Sequence, residues 1–177
     1  NPVNANLTIN WAAGVLIEIL VGGSAVDTFT GDANANRLTG NGGNDVLNGG
    51  LGDDTYVFDV DTNQGADILS DAGGVDTLDF SATSSSKNLI VDLNIAGAQQ
   101  TDTVTLFLSI TGASSMENVI GGDGNDTLTG NGSSNVLTGN RGNDTLIGNN
   151  GADTLNGGDG NDALTGGGGN DTYVFNA

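Results

Sequence analysis

GGDGNDTLT, GNGSSNVLT, GNRGNDTLI, GNNGADTLN, GGDGNDALT and GGGGNDTYV follow one another without a break from Gly121 to Val174. Four further nine-residue units, GGSAVDTFT, GDANANRLT, GNGGNDVLN and GGLGDDTYV, run from Gly22 to Val57. The sixth place is Asp in most units and Asn at Asn36 and Asn135, and the eighth is always large and apolar. A fixed short period means that one supersecondary unit is built repeatedly and its copies are stacked.

Each unit has two halves. The first six places are rich in Gly, Asn and Asp, residue types that accept tight turns and positive φ. The last three alternate polar, apolar, polar, as in Thr127-Leu128-Thr129, the pattern of a very short strand with one buried face. Two units therefore close one flattened coil, and successive coils stack at the strand spacing of about 4.8 Å. The expected fold class is all-β, a solenoid with two facing apolar ladders. One contains Phe29, Leu47, Leu128, Leu146 and Leu164, and the other Leu38, Tyr56, Leu137, Leu155 and Tyr173. One large side chain per unit is a thin core, too small to offset a backbone ordering cost of about 1–2 kcal/mol per residue. Something else must hold the turns.

The sixth-place residues supply it. Coiling brings Asp126, Asp144 and Asp162 into one column, and Asn135, Asp153 and Asp171 into a second on the opposite edge. Stacked ionised carboxylates repel, and a cation between each pair reverses the sign. Carboxylate and carbonyl oxygens favour a hard cation, and Ca²⁺ accepts six or more such ligands in flexible geometry. Mg²⁺ demands stricter octahedral geometry, and zinc is disfavoured because the chain has no His and no Cys.

The units resemble the RTX, or hemolysin-type, calcium-binding nonapeptide GGxGxDxUx. The resemblance implies a right-handed parallel β-roll in which each Ca²⁺ is clamped between units two apart on one edge. Two sixth-place carboxylates and four backbone carbonyls from places one to four are the implied ligands. On this basis Gly121, Asp123 and Asp126 face Asn140, Gly142 and Asp144. Residues 139–144 then face 157–162, with Gly157, Asp159 and Asp162 as candidates. Residues 148–153 face 166–171, through Asn149, Gly151, Asp153, Gly167, Gly169 and Asp171. The first block offers Asp27 with Asp45, and Asn36 with Asp54. Asn36 and Asn135 lower the site charge but keep an oxygen, while Ser133, Ser134 and Ala25 depart from the turn pattern. Asp144 is expected to matter more than Asp45, because it serves two stacked positions.

Composition narrows the function. Three basic against twenty-two acidic residues give a net charge of −19, which excludes a phosphate-binding surface and disfavours anionic membranes. About five or six Ca²⁺ ions would cancel roughly ten to twelve of these charges. A Gly-rich, acidic chain of low hydrophobicity is expected to be largely disordered without its cation, so that metal binding is folding. With no cysteine, calcium takes the place of disulfides. No apolar run reaches the length of a membrane span, and Val15–Leu20 is short and carries Glu18. The chain opens at Asn1 with neither Met nor a signal peptide, the start expected of a processed or excised fragment.

Four segments are expected: 1–21, the end of a preceding long-coil segment; 22–57, a first β-roll block; 58–120, a longer-strand solenoid segment; and 121–177, a second block. Within 58–120, Val75–Ser81, Asn88–Ile95 and Thr103–Ile110 read as strands and Ser81–Asn88 as a loop. Continuation of the solenoid is favoured over a separate small β-sandwich. Ile17–Gly31 resembles Met116–Gly130 at an offset of 99 residues, and Asn4–Asn10 parallels Thr103–Ser109, so the chain reads as just over one period of a long tandem array. Glu18 and Glu117 stand at sixth places entering each block, as caps, ligands or solvated edges.

Catalysis has no support: nearly every acid has a place in the repeat, and no His exists for a triad or a zinc site. Trp11 reads as a buried strand residue before a sugar-stacking one. Thr127, Thr129, Thr145 and Thr165 form an outward array, interrupted by Ile147 and Ala163, that β-propensity explains. The family then implies a calcium-binding structural module of a large secreted bacterial protein, exported unfolded by type I secretion and folding outside the cell. Adhesin, surface-layer or matrix proteins are the natural parents. The alternatives are the non-catalytic C-terminal region of a secreted hydrolase, or a carbohydrate- or ice-binding roll. Calcium ions and neighbouring repeats are the expected partners, with no nucleic acid and no membrane insertion; the sequence names no sugar or cell-surface ligand.

Overall fold

A computed structural model describes residues 8–9, 18–95, 97–101, 106–111 and 116–175. Trp11, most of Asn4–Asn10, and the starts of Val15–Leu20, Ile17–Gly31 and Thr103–Ile110 lie outside the described residues. No described residue is helical, and no helix among them is long and apolar enough to cross a membrane. The chain is a parallel β-solenoid with two facing walls.

The second wall is the simpler. It runs β2 (Ile19–Val21), β4 (Arg37–Thr39), β6 (Thr55–Val57), β8 (Thr77–Asp79), β12 (Asn118–Ile120), β14 (Val136–Arg141), β16 (Thr154–Asp159) and β18 (Thr172–Val174). All its pairings are parallel. Their register aligns Leu20, Leu38, Tyr56, Leu78, Val119, Leu137, Leu155 and Tyr173 in one file. Every member but the terminal Tyr173 is buried. The ladder expected from the eighth places is present, and it runs unbroken through the segment between the blocks.

The first wall holds β1 (Thr8–Ile9), β3 (Thr28–Thr30), β5 (Val46–Asn48), β7 (Gly65–Ser70), β11 (Leu106–Thr111) and β10 (Gly97–Gln100) in that order. Then come β9 (Ile90–Asp92), β13 (Thr127–Thr129), β15 (Thr145–Asn150) and β17 (Ala163–Gly168). Phe29, Leu47 and Leu69 stack in one run, and Val91, Leu128, Leu146 and Leu164 in the next. Thr127, Thr145 and Ala163 also align, as do Thr129, Ile147 and Thr165, so the outward threonine files are broken where the sequence breaks them.

Between β8 and β12 the chain passes through the first wall three times instead of once. β11 pairs parallel with β7, β10 pairs antiparallel with β11, and the Ile90 N–H donates to the Thr101 carbonyl at 2.8 Å. The expected strands Val75–Ser81 and Asn88–Ile95 contain β8 and β9, and Thr103–Ile110 overlaps β11, which runs one residue further; β7, β10 and the antiparallel excursion are additions. The core thickens here. Phe58, Phe80, Leu89, Leu106, Leu108 and Met116 are all fully buried, and the Phe58 and Phe80 rings stack with centroids 5.4 Å apart. Phe58 and Phe80 each follow a unit-like strand, where the repeat has its first-place glycine, so an aromatic contact stands in place of a glycine turn.

Candidate metal centre

The sixth-place residues form two hydrogen-bonded columns at the two edges. In each, a backbone N–H of one coil donates to Oδ1 of the sixth-place acid one coil further on. On one edge Asp27 N–H donates to Asp45 at 2.8 Å and Asp45 N–H to Asp67 at 2.8 Å. After the break at Phe58–Phe80, Leu89 donates to Asp126, Asp126 to Asp144 and Asp144 to Asp162, at 2.7–2.9 Å. On the other edge Asn36 donates to Asp54, Asp54 to Asp76 and Asp76 to Glu117 Oε2, at 2.7–2.9 Å. Asn135 then donates to Asp153 and Asp153 to Asp171.

The second carboxylate oxygen separates the turns into two kinds. In the first turn of each column it is satisfied locally: Gly23 N–H bonds Asp27 Oδ2 at 2.8 Å and Gly122 N–H bonds Asp126 Oδ2 at 2.9 Å. Asn36 and Asn135 accept likewise from Asp32 and Asn131. In later turns the backbone is flipped. Asn41, Asn140 and Asn149 take φ of 63°, 76° and 77° at second places, and Gly43, Gly142 and Gly151 take φ of 139°, 126° and 128° at fourth places. Asn tolerates this left-handed region, and Gly has no Cβ to oppose it. The fourth place is flipped in each of the six turns whose acid, Asp45, Asp54, Asp67, Asp76, Asp144 or Asp153, keeps a buried Oδ2 with no hydrogen-bond partner, and the second place is flipped in all of these but the turns of Asp67 and Asp76. Buried oxygens of this kind cost about 1–3 kcal/mol each unless something else binds them.

First-place glycines complete the cradle. A Cβ on Gly121 would lie 2.5 Å from Asp126 Oδ2 and 2.9 Å from the Gly139 carbonyl oxygen. A Cβ on Gly139 would fall onto Asp144 Oδ2 and lie 2.5 Å from the Gly157 carbonyl oxygen. Gly139→Ala is therefore expected to lower stability by roughly 1–3 kcal/mol and to weaken cation binding, read as a fall in Tm with calcium present. Gly23→Ala is the control, since its Cβ meets nothing within 4 Å.

Burial pushes Asp45, Asp126 and Asp144 up to about 6 and Asp67 up to about 7, with neighbouring carboxylates adding to the rise. Burial also raises Asp54 and Asp76, and Asp71 beside them adds to it. These values belong to the fold without metal, in which the folded chain holds protons that the unfolded chain has released. The stabilisation is thus present below the unfolded value near 4 and is lost as pH rises through 6–7. In calcium-free buffer, β-structure measured by circular dichroism should increase as pH falls from 7.5 to 4.5; a flat profile would contradict this placement of the acids.

The structure brings Asp27, Asp45, Asp54, Asp126, Asp144, Asp153, Asp162, Asp171, Asn36 and Asn135 into the two columns. Gly121, Asn140, Gly142, Asn149, Gly151, Gly157, Gly167 and Gly169 form the turns around them, Gly167 and Gly169 with φ of 103° and 134°. The third-place side chains lie elsewhere: Asp123 Oδ2 meets Arg141 Nη1 at 3.2 Å and Asp159 Oδ2 lies 4.0 Å from its Nε, at the surface. Asn135 uses what an Asp lacks, since its Nδ2 donates to the Glu117 carbonyl at 2.8 Å. Glu117, at a sixth place, has its carboxylate in the column.

Asp67 and Asp76 extend the columns beyond the residues singled out from the sequence. Thr62–Ser70 and Asp71–Asp79 are degenerate nonapeptides with the acid and the apolar residue in place, displaced by the four residues Phe58–Asp61. Asp45 consequently lies between two acids, Asp27 and Asp67, as Asp144 lies between Asp126 and Asp162. The contrast expected between Asp45 and Asp144 is corrected by this: the columns give them the same station.

A family model for the RTX calcium-binding nonapeptide repeat, in four copies, matches residues 21–56, 111–146 and 138–173. The chain belongs to that family. The matched coils are calcium-binding repeats, and the parallel β-roll expected from the resemblance is the fold observed. No curated protein matches the chain at a significant level. The residues fit a hard cation: oxygen donors throughout, glycine in place of any Cβ that would fill the cradle, and buried carboxylate oxygens with no protein partner.

Proposed function

We propose that this RTX segment is a structural module that folds on binding Ca²⁺ outside the cell, as part of a secreted protein of adhesin, surface-layer or matrix type. The observation that carries the reading is the set of buried, unpartnered Oδ2 atoms confined to the flipped turns. The fourth place is flipped in all of these turns and the second in most of them, and these are the places whose carbonyls the family pattern assigns to the cation on the lower turn of each pair. A net charge of −19 opposes compaction unless cations enter the columns. The role is spacing and calcium-triggered folding, not catalysis, and type I export in the unfolded state accords with it.

Calorimetric titration of the calcium-free chain tests the reading. Several Ca²⁺ ions should bind, and β-structure should appear with them. A chain that binds no calcium at millimolar concentration would remove the proposal. Sequence beyond either end separates an adhesin-like parent, with further 99-residue periods, from a secreted hydrolase with a catalytic motif.

A further inference from the structure

Asp54, Asp71 and Asp76 form a cluster that the nonapeptide pattern does not contain. Asp54 ends the turn before β6, and Asp71 and Asp76 begin and end the turn between β7 and β8. One carboxylate oxygen from each lies within 4.8 Å of the others. All three are buried, with 1%, 7% and 0% of their surface exposed. Asp71 and Asp76 fall outside the residues matched by the repeat model. Asp71 stands at the first place of the degenerate unit Asp71–Asp79, where the repeat has glycine, and so brings a side chain to a position that elsewhere offers only backbone.

The buried oxygens of the cluster point to a ligand. Asp54 Oδ1 is taken by the Asn36 N–H at 2.7 Å and Asp76 Oδ1 by the Asp54 N–H at 2.9 Å. Their Oδ2 atoms are buried and no donor group reaches them, the Asp71 carboxylate being the side chain beside both. The cluster is also held in place: Asp71 Oδ2 accepts from Gly73 N–H at 2.7 Å. The Tyr56 hydroxyl, which donates to the Ser70 carbonyl at 2.8 Å, lies 3.3 Å from Asp71 Oδ1. Three converging carboxylates without an ion repel one another in a buried space. An all-oxygen donor set of charge −3 suits a hard divalent ion that tolerates irregular coordination, and its charge count favours tighter binding than two carboxylates give.

We propose that Asp54, Asp71 and Asp76 hold one Ca²⁺ in a three-carboxylate site that extends past the edge of the matched repeats, and that this site fills before the two-carboxylate positions. The proposal rests on the reading of the columns as calcium sites. The neighbouring turn pair of Asn36 and Asp54 has a single carboxylate and should fill later. The site would set the first fixed point from which the coils on either side order.

The whole chain is titrated with Ca²⁺ by calorimetry, and with Tb³⁺ under tyrosine excitation, as wild type, Asp71→Asn, Asp71→Gly, Tyr56→Phe and Tyr173→Phe. Asp71→Gly restores the residue the repeat uses at that place, which keeps the turn foldable. The tightest Ca²⁺ step should weaken by about tenfold or more in both Asp71 variants, with the later steps unchanged. The first equivalent of Tb³⁺ should give tyrosine-sensitised emission that Tyr56→Phe abolishes and Tyr173→Phe spares. Wild-type affinity and stoichiometry in both Asp71 variants, or first-equivalent emission that depends on Tyr173, would overturn the site while leaving the repeat positions standing. Absence of any calcium binding by the wild type would overturn the site and the proposed function together.

Discussion

Removal of calcium should abolish most of the β-structure of this chain, and millimolar Ca²⁺ should restore it. The blocks 22–57 and 121–174 contribute at most one large buried side chain per nonapeptide, in single files such as Leu128 and Leu146 or Leu137 and Leu155. Such files bury little apolar area against the entropy of ordering Gly-rich turns. Without a cation, the six buried Oδ2 atoms remain unsatisfied and the acid columns repel. Circular dichroism with chelator, followed by readdition of calcium, is the measurement. Hydrogen exchange would localise the effect: protection should vanish first in the blocks and last around Phe58, Phe80, Leu106 and Leu108, where the core is thickest. A chelated chain with its full β signal at neutral pH would refute the account.

Replacement of Asp144 or of Asp45 by Ala should cost nearly the same, and both should cost more than Asp27→Ala. Asp144 and Asp45 each lie between two sixth-place acids in their columns, so each would border two of the proposed cation positions, whereas Asp27 opens its run and has its Oδ2 taken locally by the Gly23 N–H. An ion present at a hundredfold above its Kd contributes about 2.7 kcal/mol of stability. Loss of two positions is then worth roughly 5 kcal/mol, and loss of one about half that. Thermal melts at fixed calcium read the order. In calcium-free solution the differences should shrink, because deleting a buried like charge offsets the lost hydrogen bond. A large deficit for Asp144→Ala beside a negligible one for Asp45→Ala would mean that Asp67 is no part of the column.

Much of this was legible in the sequence, because period and residue type act locally. The eighth-place apolar residues fixed both ladders, and the sixth-place residues located the edges. What stayed hidden depends on residues far apart. Phe58–Asp61 shifts the period by four residues, so Asp67 and Asp76 drop out of a search for glycine-led units although their Asp-x-apolar cores, Asp67-Ile68-Leu69 and Asp76-Thr77-Leu78, are intact. Asp71 looks like a linker acid until β7 and β8 stack it against Asp54. β10, Gly97–Gln100, has neither alternation nor β-branched residues; its pairing with β11 is a tertiary outcome that propensity does not report. Asn135 looks like a weakened ligand, yet its amide supplies the donor that the Glu117 carbonyl needs.

The threefold passage through the first wall leaves that side with ten strands against eight on the other among the described residues. At the usual inter-strand spacing, two additional strands lengthen one side by about 10 Å. A rod whose opposite flanks differ in length would lean toward the shorter one, which would make the excursion a joint between the two repeat blocks. Were the 99-residue period to recur along a longer polymer, joints at regular intervals would wind it into a coil rather than a straight spar, giving it reach that can be taken up under load.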